Sequence, residues 1–287
     1  MSPRTIEGVG RGARRVTRGA PELRSFEPMT ELAAEFYALT HRGNPGDVAF
    51  YKQACAGAAS VLELGVGYGR LLPALSEVAE IVVGLDREPL LLRAARRRLR
   101  DSPHDRRDDS RVGAVRLIRG DMQHFELGRQ FERILLPFNG LYCLPGRRAL
   151  SRCLRRIRDQ LSPEGEFLFD VWAADEFQRR ARSSAHHDDD GAIVTLQHRG
   201  QLWDVFERSR LRAALSRLDV TYTYVSRERG TRLQMQIGHR YVPLGELTRL
   251  LAEAGLAIRS RWGSFARARF TRGSAHLIVR AGHDLTE

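Results

Sequence analysis

Between residues 60 and 171 the chain alternates short, continuously apolar runs with longer amphipathic stretches, and no other feature of the 287-residue sequence limits its fold as much. Ser60–Leu64, Ile81–Leu85, Val115–Ile118, Arg133–Leu136 and Glu166–Val171 read as strands. Helical spacing of apolar residues is expected over 70–79, 89–100 and 146–161, and residues 101–111 form a polar loop. Strands apolar on both faces and separated by helices predict a parallel sheet covered on both sides, a doubly wound α/β core.

The pattern changes after Trp172. Residues 192–242 hold several β-type segments with little helix between them, and Arg229-Gly230-Thr231 offers a hairpin turn, so an antiparallel ribbon is expected as an insertion. A helix over 243–254 stops at Gly255, and strands near 256–263 and 275–281 complete the sheet. Upstream, Leu32, Phe36 and Leu39 recur at helical spacing, Gly43-Asn44-Pro45-Gly46 breaks the run, and a second helix spans Asp47 to Ala56 with Asp47 as its N-cap. The expected organisation is a flexible basic tail over 1–25, N-terminal helices over 26–58, a core over 59–282 with its insertion, and a tail over 283–287.

The first strand runs into Glu63-Leu64-Gly65-Val66-Gly67-Tyr68-Gly69, and Asp86 follows Gly65 by 21 residues at the end of the second strand. A glycine turn between a parallel strand and a helix lets backbone N–H groups approach a ligand closely. An acid at the end of the next strand can accept both ribose hydroxyls of a nucleoside. Dinucleotide folds want G-x-G-x-x-G; here the third glycine comes one residue early.

With that spacing the sequence resembles the class I, S-adenosylmethionine-dependent methyltransferases, whose first motif is E/D-x-G-x-G-x-G. The resemblance runs over about residues 32–282 and takes in Gly120-Asp121-Met122, Pro137-Phe138-Asn139, Leu161-Ser162-Pro163-Glu164-Gly165-Glu166 and Ala254-Gly255-Leu256. It implies a Rossmann-like, seven-stranded, mostly parallel sheet with S-adenosyl-L-methionine as cofactor. Tyr37, the Gly46-Asp47 … Phe50-Tyr51 helix and His239-Arg240-Tyr241 look similar to the small-molecule type, the glycine and aminosugar N-methyltransferases.

By this resemblance Gly65, Gly67 and Gly69, with Glu63, cradle the methionine part, Asp86 with Arg87 binds the ribose, and Asp121 with Met122 grips the adenine. Phe138 lies beside the methyl group. Arg70 meets the cofactor carboxylate or faces solvent, and Tyr37 and Tyr51 close the cofactor from above or are core aromatics. Asn139 and Tyr142 are candidates to align the acceptor, and His239 is a candidate base or substrate contact; where aminosugar enzymes often carry a histidine, this chain has Cys143. Asp170 ends the fifth strand facing the cleft or caps the following turn.

The formal charge of +12 suits nucleic acid. Lys52 is the sole lysine, however, so the charge is arginine spread over every element rather than one patch, and nucleic acid is possible but not favoured. His186-His187-Asp188-Asp189-Asp190 resembles a metal string, but adjacent loop residues rarely converge on an ion, and no metal is expected. Three cysteines without close pairs point to a reducing compartment, and the absence of a long apolar run points away from the membrane and to the cytoplasm. The expected protein transfers a methyl group to an amine or hydroxyl of a small-molecule acceptor, as monomer or homodimer. The alternatives are an RNA or protein methyltransferase, a non-catalytic cofactor-binding scaffold of this fold, and a nicotinamide-dependent oxidoreductase.

Overall fold

The computed structural model describes residues 29–101, 113–183 and 191–284. The basic tail over 1–25, most of the polar loop over 101–111 and the His186–Asp190 string therefore lie outside the described residues. The parallel core is built from β1 (Ser60–Leu64), β2 (Ile81–Asp86), β3 (Ala114–Arg119), β4 (Phe131–Leu136) and β5 (Leu161–Trp172), joined by α3 (Leu72–Ser76), α4 (Pro89–Arg100) and α5 (Arg147–Gln160). Two late strands, β10 (Leu256–Trp262) and β11 (His276–His283), complete a seven-stranded sheet of order β10-β11-β5-β4-β1-β2-β3. Only β11 runs against its neighbours. Chain order reverses between β4 and β1, the point at which a crevice opens at the carboxyl ends of such strands.

Between β5 and β10 lies a separate antiparallel sheet: β6 (Val194–His198), β7 (Gln201–Arg212), β8 (Arg217–Ser226) and β9 (Arg232–Arg240), in that order. The expected ribbon is thus four strands. Two helices flank it, α6 (Ala174–Ser183), which the sequence reading did not foresee, and α7 (Leu244–Glu253). Gly255, at φ 76, stops α7 as expected.

The N-terminal helices α1 (Glu31–Thr40) and α2 (Asp47–Ala54) tie the two sheets together. Thr30 caps α1 by accepting from the Ala33 N–H at 3.1 Å. Phe36, on its buried face, packs on Trp203 and Tyr224 of the small sheet with ring centroids 4.8 and 4.7 Å apart. Asp47 is not the N-cap of α2. Gly46 holds that position at φ 84, and the Asp47 carboxylate turns inward to accept from the Asn44 N–H at 2.8 Å and from Arg70 at 2.7 Å.

The helix expected over 70–79 shrinks to Leu72–Ser76, because Pro73 lacks an N–H and is tolerated only in a first turn. Directly before it, Gly69 is at φ 74, and a Cβ there would meet Leu72 Cδ1 at 2.9 Å and the Ala95 Cβ at 3.0 Å. Gly69→Ala is therefore expected to cost about 1–3 kcal/mol, read as a lower denaturant midpoint with unchanged m-value. An unchanged midpoint would show that α3 and α4 yield freely.

Candidate active site

The chain leaves β1 through three left-handed glycines, Gly65 at φ 64, Gly67 at φ 56 and Gly69 at φ 74. Gly69 is packed solid, but the first two are not: a Cβ on Gly65 would find nothing nearer than Leu136 Cδ1 at 4.0 Å, and one on Gly67 nothing nearer than 3.9 Å. A side-chain atom would fit at either position in ordinary contact, so the backbone there is not crowded as it is at Gly69. At the end of β2 the Asp86 carboxylate accepts from the Gly67 N–H at 2.7 Å and from the Glu88 N–H at 2.8 Å. One bond per oxygen leaves each a lone pair for a further donor. Burial raises the Asp86 pKa, and those two N–H groups hold it down against that rise.

Glu63 lies under the turn at 2% exposure, and its Oε2 has no hydrogen-bond partner. Burial pushes its carboxyl up to about 8, with Asp86 and Asp47 adding to the rise and Arg70 opposing it. An orphaned buried carboxyl beside uncrowded backbone suits an incoming cation. These residues fit a nucleoside that carries an amino acid.

Tyr37 roofs the turn from α1: its ring edge is the atom 3.9 Å from where a Gly67 Cβ would stand. Its hydroxyl pKa is raised by burial, with Cys143 and Asp86 adding to the rise. Tyr51 does not share the roof. It is fully buried and its hydroxyl donates to Asp170 Oδ1 at 2.6 Å. Arg70 does not face solvent; it pairs with Asp47 at 2.7 Å, only 11% of its side chain is exposed, and its guanidinium sits 5.8 Å from the Phe138 ring centre. Arg87 is exposed beside Asp86. On the neighbouring strand the Gly120 N–H donates to the Asp86 carbonyl at 3.0 Å, and Asp121 follows with its carboxylate accepting from the Gln123 N–H at 2.8 Å. Met122 packs against the core below.

After β4, Phe138 and Asn139 adopt left-handed backbone at φ 53 and φ 61. Asparagine tolerates this region, whereas phenylalanine there is strained by about 1–2 kcal/mol. The bonds that hold the pair converge on β5. The Phe138 N–H donates to Asp170 Oδ1 at 2.8 Å, the Asn139 N–H to the Asp170 carbonyl at 3.0 Å, and the Trp172 N–H to Asn139 Oδ1 at 2.7 Å. Asp170 is fully buried and also accepts from Asn44 Nδ2 at 3.4 Å. Burial lifts its pKa to about 6 against the Tyr51 and Phe138 bonds. Asp170 is thus the brace that ties α2, the β4 exit and β5 into one rim.

Of the other two residues expected near the acceptor, only Tyr142 is turned away. Tyr142 is fully buried, and its hydroxyl donates to the Val242 carbonyl at 3.1 Å, so it packs the core under Trp172 rather than lining the cleft. His239 stands on β9, which runs against the turn Gly140–Cys143, and its Nδ1 is buried without a partner. Sequence reasoning passed over His41. It stacks on Tyr37 with ring centroids 4.2 Å apart and meets Phe138 and Tyr222 edge-on at 6.3 and 5.0 Å. The signal was present, since His41 follows Tyr37 by four residues and side chains at that spacing share a helix face. Among the described residues no group of three or more His, Cys, Asp or Glu is arranged to hold a metal.

Residues 61–165, from β1 through the Leu161–Gly165 turn, match the family described as "Methyltransferase domain". Residues 61–165 are thus a methyltransferase domain. A dTDP-3-amino-3,6-dideoxy-α-D-glucopyranose N,N-dimethyltransferase from Streptomyces fradiae is 29% identical over 147 residues, which is 48% of this chain and 52% of that protein. The match thus spans about half the length of that curated relative. Among solved structures, the CcbJ methyltransferase from Streptomyces caelestis superposes with a TM-score of 0.68 at 25% identity, covering 84% of this chain and 90% of the other. A sugar N-methyltransferase from a Streptoalloteichus species superposes with a TM-score of 0.63 at 17% identity, covering 94% and 98%. The methyltransferase domain thus accounts for the glycine turn and Asp86, and the likeness to the Streptoalloteichus structure extends over both sheets. No helix among the described residues is long and apolar enough to cross a membrane.

Proposed function

We propose that this methyltransferase moves a methyl group from S-adenosylmethionine to an amine of a small polar acceptor, an amino sugar. The observation that carries the donor side is the pairing of uncrowded backbone at Gly65 and Gly67 with Asp86 and the orphaned Glu63 carboxyl. The Streptomyces fradiae relative, named for N,N-dimethylation of a dTDP-linked amino sugar, supports the acceptor class. Gly65 and Gly67 admit the methionine part, Asp86 takes the ribose hydroxyls, Asp121 and Met122 hold the adenine, and Tyr37 excludes water from above. S-adenosylmethionine supplies an electrophilic methyl group on a sulfonium. The tasks left to the chain are alignment and desolvation. Asp170 serves them by holding the rim at Phe138 and Asn139 in one conformation.

The direct test is incubation with isotope-labelled S-adenosylmethionine and a panel of nucleotide-linked amino sugars beside their hydroxy counterparts. Label is expected in the amine-bearing compounds and not in the hydroxy counterparts. Label in neither set, or no binding of S-adenosylhomocysteine, would overturn the proposal.

Glu63 gives the donor side its own signature. With a pKa of about 8 its carboxyl is mostly protonated at pH 7, and the ammonium of the methionine part should ionise it on arrival. Binding of S-adenosylhomocysteine at pH 7 is therefore expected to release close to one proton, and to release none above pH 9. Calorimetry in buffers of differing ionisation enthalpy reads the number directly. A buffer-independent enthalpy at pH 7 would remove Glu63 from this role.

A further inference from the structure

Four buried side-chain atoms without a hydrogen-bond partner lie on the inner face of the small sheet or where α1 meets it: Trp203 Nε1 beside Phe36, and His41 Nε2, His239 Nδ1 and Ser209 Oγ toward Tyr222. Strand register shows how the sheet contributes its share. Reading across β7, β8 and β9, Glu207, Tyr222 and Met235 form one row, Ser209, Val220 and Ile237 the next, and Leu211, Leu218 and His239 the third. The apolar members of these rows pack into the protein, so the polar members on the same face point inward with them. A buried polar atom left unpaired costs about 1–3 kcal/mol. Trp203 Nε1 is shut in by Phe36, whereas His41, Ser209 and His239 lie about Tyr222 and its neighbouring rows, where a polar molecule could pair with them.

Of the three, His41 is the one that ring contacts connect to the glycine turn. Ring contacts lead from the glycine turn to Tyr37 and from Tyr37 to His41, which has Phe138 on one edge and Tyr222 on another. Its tautomer follows from chemistry: Nδ1 is 3.1 Å from the Tyr37 carbonyl, which can only accept, so Nδ1 carries the hydrogen and Nε2 presents a bare lone pair.

We propose that His41 Nε2 receives an N–H of the acceptor amine and thereby turns the amine's own lone pair toward the methyl group, while Ser209 and His239 receive hydroxyls of the same molecule. This rests on the methyl-transfer reading above and adds to it the residue that orients the nucleophile. The polar and titratable groups around the imidazole are Tyr37 on its own helix, Tyr68 from the glycine turn, whose hydroxyl donates to the His41 carbonyl at 3.0 Å, Tyr222 with Glu207 from β8 and β7, and His239 from β9. Burial holds both histidines down at about 4, so each is neutral at physiological pH. A neutral acceptor takes an N–H of the free-base amine without adding charge that would repel the cationic product. In the transfer the nitrogen lone pair forms the new N–C bond as the C–S bond breaks. The pair of that bond goes to sulfur, the positive charge passes to nitrogen, and the product leaves as a methylated ammonium ion.

The test uses the full chain labelled with ¹⁵N-histidine and saturated with S-adenosylhomocysteine. Methylamine is the probe, because it is small enough to enter any cavity that admits an amine. The His41 Nε2 resonance, assigned by its loss in His41→Gln, is expected to be unprotonated in the absence of amine and to move as methylamine is added. In turnover, His41→Phe is expected to lose about 100-fold in kcat/KM with unchanged affinity for S-adenosylhomocysteine, and His41→Gln to recover part of it through its amide oxygen. An immobile Nε2 resonance with the cofactor product bound, or a His41→Phe enzyme within about threefold of wild type, would overturn the assignment and leave the methyl-transfer reading standing. Failure of S-adenosylhomocysteine to bind the wild-type chain would overturn both.

Discussion

Asp86→Ala is expected to weaken S-adenosylhomocysteine binding by about 3 kcal/mol, roughly 100-fold in Kd, while the ligand-free protein stays folded. The two oxygens of Asp86 do two jobs at once. Each holds one backbone N–H, from Gly67 or Glu88, and each keeps a lone pair directed at the cleft. Alanine removes the charged acceptors of the ribose hydroxyls and also frees the Gly67 N–H, so the turn loses both its ligand contact and its brace. Because Asp86 is only partly buried at the end of β2, water can replace the lost backbone bonds in the free protein, and the loss should fall on binding more than on folding. Asp86→Asn separates the two jobs: its NH₂ group would face one of the two backbone N–H donors, so binding should fall between wild type and alanine. Titration calorimetry reads the difference, and an alanine variant that binds within threefold of wild type would take the ribose role away from Asp86.

Asp170→Ala carries the largest expected loss of stability, about 3–5 kcal/mol, measured by denaturant titration at pH 7. The side chain is fully buried, and its removal strands the Tyr51 hydroxyl and the Phe138 N–H together. It also unpins a left-handed phenylalanine that is strained without that bond. Asp170→Asn keeps one acceptor and should cost less. The pH dependence of that milder variant has a definite sign. The folded pKa of Asp170 is raised to about 6, above the unfolded value near 3.8, so this group's contribution is full below pH 4 and fades as pH rises toward 6. The deficit of Asp170→Asn relative to wild type is therefore expected to be larger at pH 4 than at pH 7, and a deficit that grows with pH would contradict the raised pKa.

The parts of the site legible in the sequence are those whose residues lie close together along the chain. The glycine turn and Asp86 are separated by one strand and one short helix, and motif spacing finds both. Helix α4 is legible to the residue, since Pro89 opens it and the buried Leu91, Leu92 and Ala95 alternate with outward arginines. Helix α6 went unread because much of its face is charged, with Glu176 bonded to Arg179 and Arg180, so its apolar period is faint. What the sequence hides is pairing across distance. Tyr51 and Asp170 are separated by 119 residues, and nothing local in either says that they share a hydrogen bond. The same holds for Tyr142: its position after β4 suggests the cleft, but the short turn Gly140–Cys143 rotates the ring inward, where the Val242 carbonyl waits. His41 and Ser209 come from elements far apart in the chain, and only the fold brings His41 against Tyr222, one row from Ser209.

The order of strands in the main sheet has a consequence for how the chain reaches this state. Strand β5, which carries Phe167, Leu168, Phe169 and Val171, is covered on its outer edge only by β11, and residues 173–275 intervene. Until that long excursion has formed its own sheet and returned, an apolar strand of the nascent domain offers a row of unpaired N–H and C=O groups. Long-range pairings of this kind are made late and slowly, and an open edge meanwhile pairs with whatever strand it meets. Yield of correctly folded protein should therefore be governed less by the strength of the finished core than by how rapidly the small sheet completes and lets the chain close the edge.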